Sequence, residues 1–147
     1  MTVDKALVAQ LTKHAYSALS GAGLLSADGQ CYKKGVKRKM SGFRVAIVNN
    51  GLNPALLRYG ELTSGEGNLR PLSDAVLALL RQGKVIEPPK AEKANPAGSP
   101  LFRYVMNLPD NELALAQTRI LSAIVACKLF LATLKAEEET QPTNDRG

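Results

Sequence analysis

The chain of 147 residues has no tryptophan, one histidine (His14) and two cysteines (Cys31 and Cys127). A metal site needs several ligands, and a catalytic relay needs a base beside a nucleophile. A single histidine gives little support to either kind of site. The cysteine spacing matches no zinc signature, and dispersed thiols in a reducing compartment behave as small apolar residues. No glycine-rich phosphate loop, GxSxG or HExxH motif occurs. We therefore expect no metal ion, no cofactor, no disulfide and no enzymatic activity.

Long apolar runs are also missing, although 45% of the residues are hydrophobic. The longest uninterrupted runs are only a few residues long, which is too short to span a bilayer. The N-terminal pattern MTVDKALVAQL includes Asp4 and Lys5 and lacks the apolar region of a signal peptide. These features predict a cytoplasmic protein without a membrane partner.

Acidic residues are missing from one long stretch, between Asp28 and Glu61. Residues 32–59 within it hold seven of the nineteen basic residues, and the whole chain has a net charge of +6 and a pI near 9.5. A lysine and arginine run is often only a solvated face, but a face built for solubility alone normally mixes both signs of charge. The pattern favours a polyanionic partner, with nucleic acid ahead of an anionic membrane surface or an acidic protein. Such binding would depend strongly on salt.

The same stretch carries the period of a helix. Val36, Met40, Phe43 and Ile47 recur at steps of 4, 3 and 4, which predicts one buried helical face. A helix through this stretch puts Lys33, Lys37 and Arg44 on one flank, with Lys34 and Arg38 further round. The candidate RNA-binding residues, which would contact phosphates, are Lys33, Lys34, Lys37, Arg38, Lys39 and Arg44, followed by Lys13 and Arg58.

Helical patterns account for the rest of the chain. We expect one N-terminal helix capped by Thr2 and ended by Gly21 and Gly23, and an interruption of the basic helix at the NNGLNP segment. Pro71 starts a helix that stops at Gly83. Residues 85–100 hold half of the prolines and predict an extended excursion.

The C-terminal part predicts two further helices. One has about two turns and ends near Asn107, since a helix usually ends before the residue preceding a proline. The other is capped by Asp110 and runs for about seven turns, with the apolar spacing of a core helix. No sustained alternation of period two is present. The fold class is therefore all-α, a compact single-domain bundle of five to six helices over residues 1–136, followed by a flexible acidic tail over 137–147.

The three phenylalanines and four tyrosines lie mostly at apolar positions. We therefore expect no aromatic platform that reads splayed bases. Contacts to phosphates without readout of bases fit this composition better.

Two blocks of sequence resemble a known family. The basic segment that runs into Asn50-Gly51-Leu52, and the C-terminal block LFRYVMNLPDNELALAQTRILSAIVACKLFLATLKAEEE, are similar in order and character to the small all-helical subunit of type III-B CRISPR effector complexes, the Cmr small subunit. The resemblance covers residues 32–59 and 101–139 well and residues 1–20 loosely.

This resemblance implies a non-catalytic subunit of an RNA-guided antiviral defence complex. Its partners would be guide RNA and target RNA, other subunits of the complex and head-to-tail copies of itself. An exposed apolar strip on the last helix or around NGLNPALL would mediate the stacking of copies. Two alternatives remain open on the sequence, a small helical DNA-binding transcriptional regulator and a helical protein adaptor.

Overall fold

The computed structural model of the chain describes residues 3–60, 68–86 and 99–136. Helices make up 69% of the structure, and a two-stranded sheet completes it. The elements among the described residues are α1 Lys5–Thr12, α2 Ala15–Gly21, β1 Cys31–Tyr32, α3 Val36–Asn50, α4 Leu52–Arg58, α5 Arg70–Gln82, α6 Pro100–Met106, a 3-10 turn Asp110–Glu112, α7 Leu113–Leu131 and β2 Lys135–Ala136. The predicted helical character is confirmed, but the described residues form seven helices where five to six were expected.

The core is assembled on α7, as the sequence predicts. This helix packs against α1, α3 and α5, and its nine buried residues lie on several sides of it. It is shorter than the predicted seven turns, because Asp110 starts a 3-10 turn and the α-helix runs only from Leu113 to Leu131. Just after its end, the Thr133 hydroxyl donates a 2.6 Å hydrogen bond to the Phe130 carbonyl. This side-chain bond competes with the backbone hydrogen bonds that would continue the helix.

The predicted N-terminal helix is in fact two helices. The α1 helix begins at the N-cap Asp4, whose carboxylate accepts a hydrogen bond from the Leu7 N–H at 3.1 Å. It ends where the Thr12 hydroxyl donates to the Val8 carbonyl at 2.7 Å, and α2 follows from Ala15. The expected cap Thr2 lies outside the described residues. A hydrogen bond from the Asp4 N–H to the Ser122 hydroxyl ties α1 to α7 at 3.0 Å.

The predicted interruption at NNGLNP is confirmed. Gly51 adopts φ +93° and ψ 162°, a conformation that almost only glycine tolerates, and it separates α3 from α4. The α4 helix folds back so that the Tyr59 ring stacks on the Phe43 ring with 4.4 Å between centroids and 6° between planes. A Cβ atom at Gly42 would lie only 3.0 Å from the Tyr59 hydroxyl, so the small residue admits this stack.

The predicted limits of α5 and α6 also hold. Pro71 lies in the first turn of α5 and Gly83 caps its end. The Ser99 hydroxyl caps α6 by accepting a hydrogen bond from the Phe102 N–H at 3.1 Å, and Asn107 follows the last helical residue. Most of the proline-rich excursion, residues 87–98, lies outside the described residues.

A short parallel sheet corrects the expectation of a purely helical fold. The β1 strand pairs with β2 in the register Cys31 to Lys135 and Tyr32 to Ala136. An antiparallel bridge between Leu25 and Tyr32 holds the other edge of β1. The sheet thus brings the end of the C-terminal helical block beside the start of the basic helix α3. The proposed boundary between residues 1–136 and 137–147 stays a prediction, because residues 137–147 lie outside the described residues.

One described helical stretch, Asp110–Leu131, is long and apolar enough to cross a membrane by length and composition alone, with a mean hydropathy of 1.5. The core helix of a bundle has the same length and composition, and α7 makes core contacts in this fold. The expectation that no segment spans a membrane stays a prediction.

Candidate nucleic-acid interface

The basic stretch is built around the start of α3. Gly35 is the N-cap residue with φ +82°, and the helix begins at Val36. Its buried stripe is Val36, Met40, Phe43 and Ile47, as the periodicity predicts. Since these residues fix which side of α3 faces the core, the remaining positions of the first turns face outward.

Three cations follow directly in the first helical turn, Lys37, Arg38 and Lys39, and no acidic residue accompanies them. Lys37 and Arg38 are exposed and Lys39 is half-buried. A helix N-terminus carries a partial positive charge, equivalent to roughly half an elementary charge. Cations at this end are therefore in an unfavourable position, and an anion bound here would relieve the repulsion.

The charged ends of two of these side chains lie close to Gly35. A Cβ atom built on Gly35 would be 3.9 Å from both the Arg38 Nη2 and the Lys39 Nζ. The main chain at Gly35 is thus flanked by two positive groups. Any larger residue would be strained at this positive φ, so the local geometry depends on glycine.

An open depression of about 420 Å³ lies where α3 begins beside the strand pair. Its basic lining comes from the loop before α3 and from the first turn of that helix. It is lined by Tyr32, Lys34, Gly35, Lys37, Arg38, Ser41 and Ala136. We call Lys34, Lys37 and Arg38 the basic cluster. The structure therefore brings three of the predicted phosphate-binding residues around one concave surface.

The other predicted residues lie outside this lining. Lys33 is exposed but precedes α3, and its N–H donates to the Leu24 carbonyl at 3.0 Å. The expectation that Lys33 shares a helical flank with Lys37 and Arg44 is wrong for that residue, because Gly35 starts the helix later. Arg44 is half-buried and lies two turns after Lys37 on the same flank of α3. Lys13 caps the end of α1 and Arg58 lies in the last turn of α4, so the structure does not bring these two into the cluster lining.

The acidic residue nearest in sequence, Asp28, is engaged in its own turn. Its carboxylate accepts hydrogen bonds from the Gln30 N–H at 3.0 Å and from the Ser26 hydroxyl at 2.7 Å. The hydrogen bond from Gln30 has the larger effect and that from Ser26 the smaller, and together they lower the pKa of the exposed Asp28 carboxyl below its ordinary value. Within residues 3–60, 68–86 and 99–136, no carboxylate forms a salt bridge with Lys37 or Arg38.

Sequence reasoning missed the non-basic residues of the depression, Tyr32, Ser41 and Ala136. Tyr32 precedes Lys33 directly, which is the one signal that the sequence offered for it. Ala136 could not be placed there from the sequence, since its position depends on the pairing of β2 with β1. Ser41 adds a hydroxyl one turn after Lys37.

A second surface lies near the junction of α3 and α4. A groove of about 570 Å³ runs between residues 51–54 and the start of α7, and it is lined in part by Leu52, Pro54 and Leu113. Outside this lining, Val48 on α3, Leu57 on α4 and Leu115 on α7 are 44%, 53% and 48% exposed. The sequence named the NGLNPALL segment and the last helix as candidates for contacts between copies, and both supply part of this apolar surface.

Groups suited to catalysis are dispersed over the described ranges. No three His, Cys, Asp or Glu side chains there lie close enough together to hold a metal ion. Cys127 is fully buried in α7, and this burial raises the pKa of its thiol from 9.0 to about 12, which keeps it protonated. The absence of enzymatic activity stays a prediction.

Comparisons of the chain with known protein families, with curated proteins and with solved structures found no match. The resemblance to the Cmr small subunit therefore remains a hypothesis that rests on the two blocks of sequence.

Proposed function

We propose that the protein is a non-catalytic RNA-binding subunit that holds the sugar-phosphate backbone at the start of α3 without reading the base sequence. The observation that carries this proposal is the gathering of Lys34, Lys37 and Arg38 around one depression at the positive end of a helix. Three cations and the helix dipole together form a strongly positive concave surface, and phosphate is the commonest biological anion that fits it.

The size and chemistry of the site support backbone binding over catalysis. The depression is open and shallow, so a polymer can pass across it, and its charged groups are guanidinium and ammonium donors. Arginine and lysine contacts to phosphates position a strand but carry no sequence information. Base pairing between a guide and its target would then supply the specificity.

The finer proposal is that the chain serves as the small subunit of a type III CRISPR interference complex, where several copies stack along guide and target RNA. The similarity of residues 32–59 and 101–139 to the Cmr small subunit supports it, and so does the apolar groove beside the α3 and α4 junction, which suits contacts between copies.

Direct binding tests the general proposal. Labelled single-stranded RNAs of unrelated sequence should bind the purified protein with affinities within about threefold of one another, and the logarithm of the binding constant should fall linearly with the logarithm of the salt concentration. Strong preference for one duplex DNA sequence would instead support a DNA-binding regulator. Failure to bind any nucleic acid, together with a stable helical protein partner, would support an adaptor.

Co-purification tests the finer proposal. Tagged protein recovered from its own cells at low salt should bring down a short guide RNA and larger protein subunits. Recovery of the protein alone, or with RNA but without any other subunit, would contradict membership of an effector complex while leaving RNA binding intact.

A further inference from the structure

Tyr32 is the aromatic side chain at the basic cluster, and both edges of its backbone are held. Tyr32 pairs with Ala136 in the parallel sheet, and the antiparallel bridge to Leu25 holds the opposite edge of the strand β1. Tyr32 packs partly against the hydrophobic core and is one of the residues that line the depression. A tyrosine has only two side-chain torsions, so a Tyr32 ring on this fixed backbone would lose little side-chain freedom on contact with a ligand.

Four of the other six aromatic rings have ring partners, and the remaining two, Phe102 and Tyr104 on α6, do not line the depression. Phe43 and Tyr59 stack on each other, and Tyr16 meets Phe130 edge-on with 6.2 Å between ring centroids. Among the described residues the Tyr32 side chain has neither a ring partner nor a hydrogen bond. Its position beside Lys37 and Arg38 therefore combines an available ring with phosphate-binding groups in one depression.

We propose that the Tyr32 ring stacks on an unpaired nucleobase of a strand whose phosphates are held by Lys37 and Arg38, so that the site prefers single-stranded RNA over a duplex. This inference rests on the proposed RNA-binding function, concerns unpaired stretches of the bound strand, and departs from the expectation that no aromatic platform contacts splayed bases. Every base has a flat π-face, so such a contact tolerates any sequence. The bases of a duplex are already stacked on one another, so they cannot use the ring.

The two kinds of contact differ in their response to salt. Phosphate contacts release counterions and weaken as salt rises, whereas stacking on an aromatic ring does not. Loss of the ring should therefore lower affinity by the same factor at every salt concentration, while loss of a cation should change the slope.

The first experiment replaces the ring. Tyr32→Leu should lower the affinity for single-stranded RNA by roughly 5- to 150-fold without changing the salt slope, and it should leave the affinity for a duplex of the same sequence nearly unchanged. Tyr32→Phe keeps the ring and should retain native affinity. Unchanged single-strand binding by Tyr32→Leu, or an equal loss for single strand and duplex, would overturn the inference.

The second experiment uses the absence of tryptophan, and it holds even if Tyr32→Leu fails to fold. Tyr32→Trp makes a chain with one tryptophan, whose fluorescence a stacked base should quench on addition of single-stranded RNA. Tyr16→Trp is the matched control, since Tyr16 is 49% exposed and does not line the depression. Quenching of both probes alike, or of neither, would contradict stacking at residue 32.

Failure of this inference and failure of the proposed function give different results. Salt-dependent RNA binding that Tyr32 variants do not alter would remove the stacking contact alone. Absence of RNA binding by the native protein at low salt would remove both.

Discussion

The helix α7 and the first turn of α3 use their residues in opposite ways. Nine of the nineteen α7 residues are buried, whereas α3 buries a single stripe of four among fifteen. The first turn of α3 holds three successive cations at the positive end of the helix dipole, where each costs about 0.3–1 kcal/mol of stability. The α7 helix thus maintains the fold, and the start of α3 carries groups that the fold alone does not favour.

Core truncation should give the largest effect in this comparison. Leu121 on α7 is 1% exposed, so Leu121→Ala should lower the free energy of unfolding by about 2–5 kcal/mol through lost burial and a cavity. Leu129→Ala on the same helix is the matched control, because Leu129 is 52% exposed and its truncation should change stability by about 0.5 kcal/mol or less. Denaturant unfolding measures both. Equal effects would show that α7 is not the core helix.

Alkaline pH should weaken the protein through Cys127. Burial raises the pKa of this thiol to about 12 in the folded protein, against 9.0 for a free group. The protonated thiol is therefore favoured by folding. Its contribution is complete below pH 9 and is lost as the pH rises toward 12, with a limiting slope of about 1.4 kcal/mol per pH unit.

Cys127→Ala removes this titration and supplies the reference. Unfolding free energies measured across the alkaline range should fall more steeply for the native chain than for the variant. Parallel curves for the two proteins would show that Cys127 does not titrate differently in the folded and unfolded states.

The junction after α3 depends on one glycine. Gly51→Ala should cost about 1–3 kcal/mol, since alanine is strained at φ +93° and ψ 162°. Gly21→Ala is the control: no atom lies within 4 Å of its added Cβ and its φ is not positive, so it should be neutral or stabilise by up to about 1 kcal/mol. Thermal melting distinguishes them. A harmless Gly51→Ala would contradict the described break between α3 and α4.

The acidic residues that follow Ala136 should give a smaller effect, on binding. Ala136 lines the depression and Glu137, Glu138 and Glu139 come next in the chain. Negative charges that adjoin a cationic surface in the chain weaken its attraction for an anion, and this effect is screened over a Debye length of roughly 10 Å at 0.1 M salt. Glu137→Gln with Glu138→Gln should therefore raise RNA affinity a few-fold at low salt.

Removal of two carboxylates elsewhere controls for net charge. Asp110→Asn with Glu112→Gln makes the same change of charge at the exposed 3-10 turn before α7, away from the depression lining. Equal gains in affinity for the two pairs would show that overall charge, and not proximity to the basic cluster, governs the effect.

Local patterns predicted the parts of the fold that local chemistry decides. The buried stripe of α3 follows from apolar spacing, and the limits of α5 follow from Pro71 and Gly83. The pairing of Tyr32 with Ala136 could not be predicted from local patterns, because strands of two residues show no alternation and the paired residues lie far apart in sequence. The division between α1 and α2 was not predicted. Threonine also occurs inside regular helices, so Thr12 did not indicate that α1 ends there.

The candidate site was predicted in composition but not in shape. The acid-free stretch indicated Lys34, Lys37 and Arg38, and the structure places them around one depression. Lys33 was assigned to the helix because apolar spacing does not reveal that Gly35 is the N-cap. Tyr32 directly precedes the basic residues in the sequence, whereas Ala136 reaches the site only through the tertiary pairing of the two strands.

The central claim is tested most directly by measuring stability and RNA affinity on the same charge variant. Replacement of Lys37 and Arg38 by Gln should leave the free energy of unfolding unchanged or raise it by up to about 1 kcal/mol, because both cations oppose the helix dipole. It should weaken binding of single-stranded RNA and reduce the salt slope by roughly 1.4 units. Replacement of Lys5 and Lys84 by Gln removes the same charge elsewhere and should preserve most of the slope. Equal losses of affinity and slope for the two variants, or no loss for the first, would contradict the account.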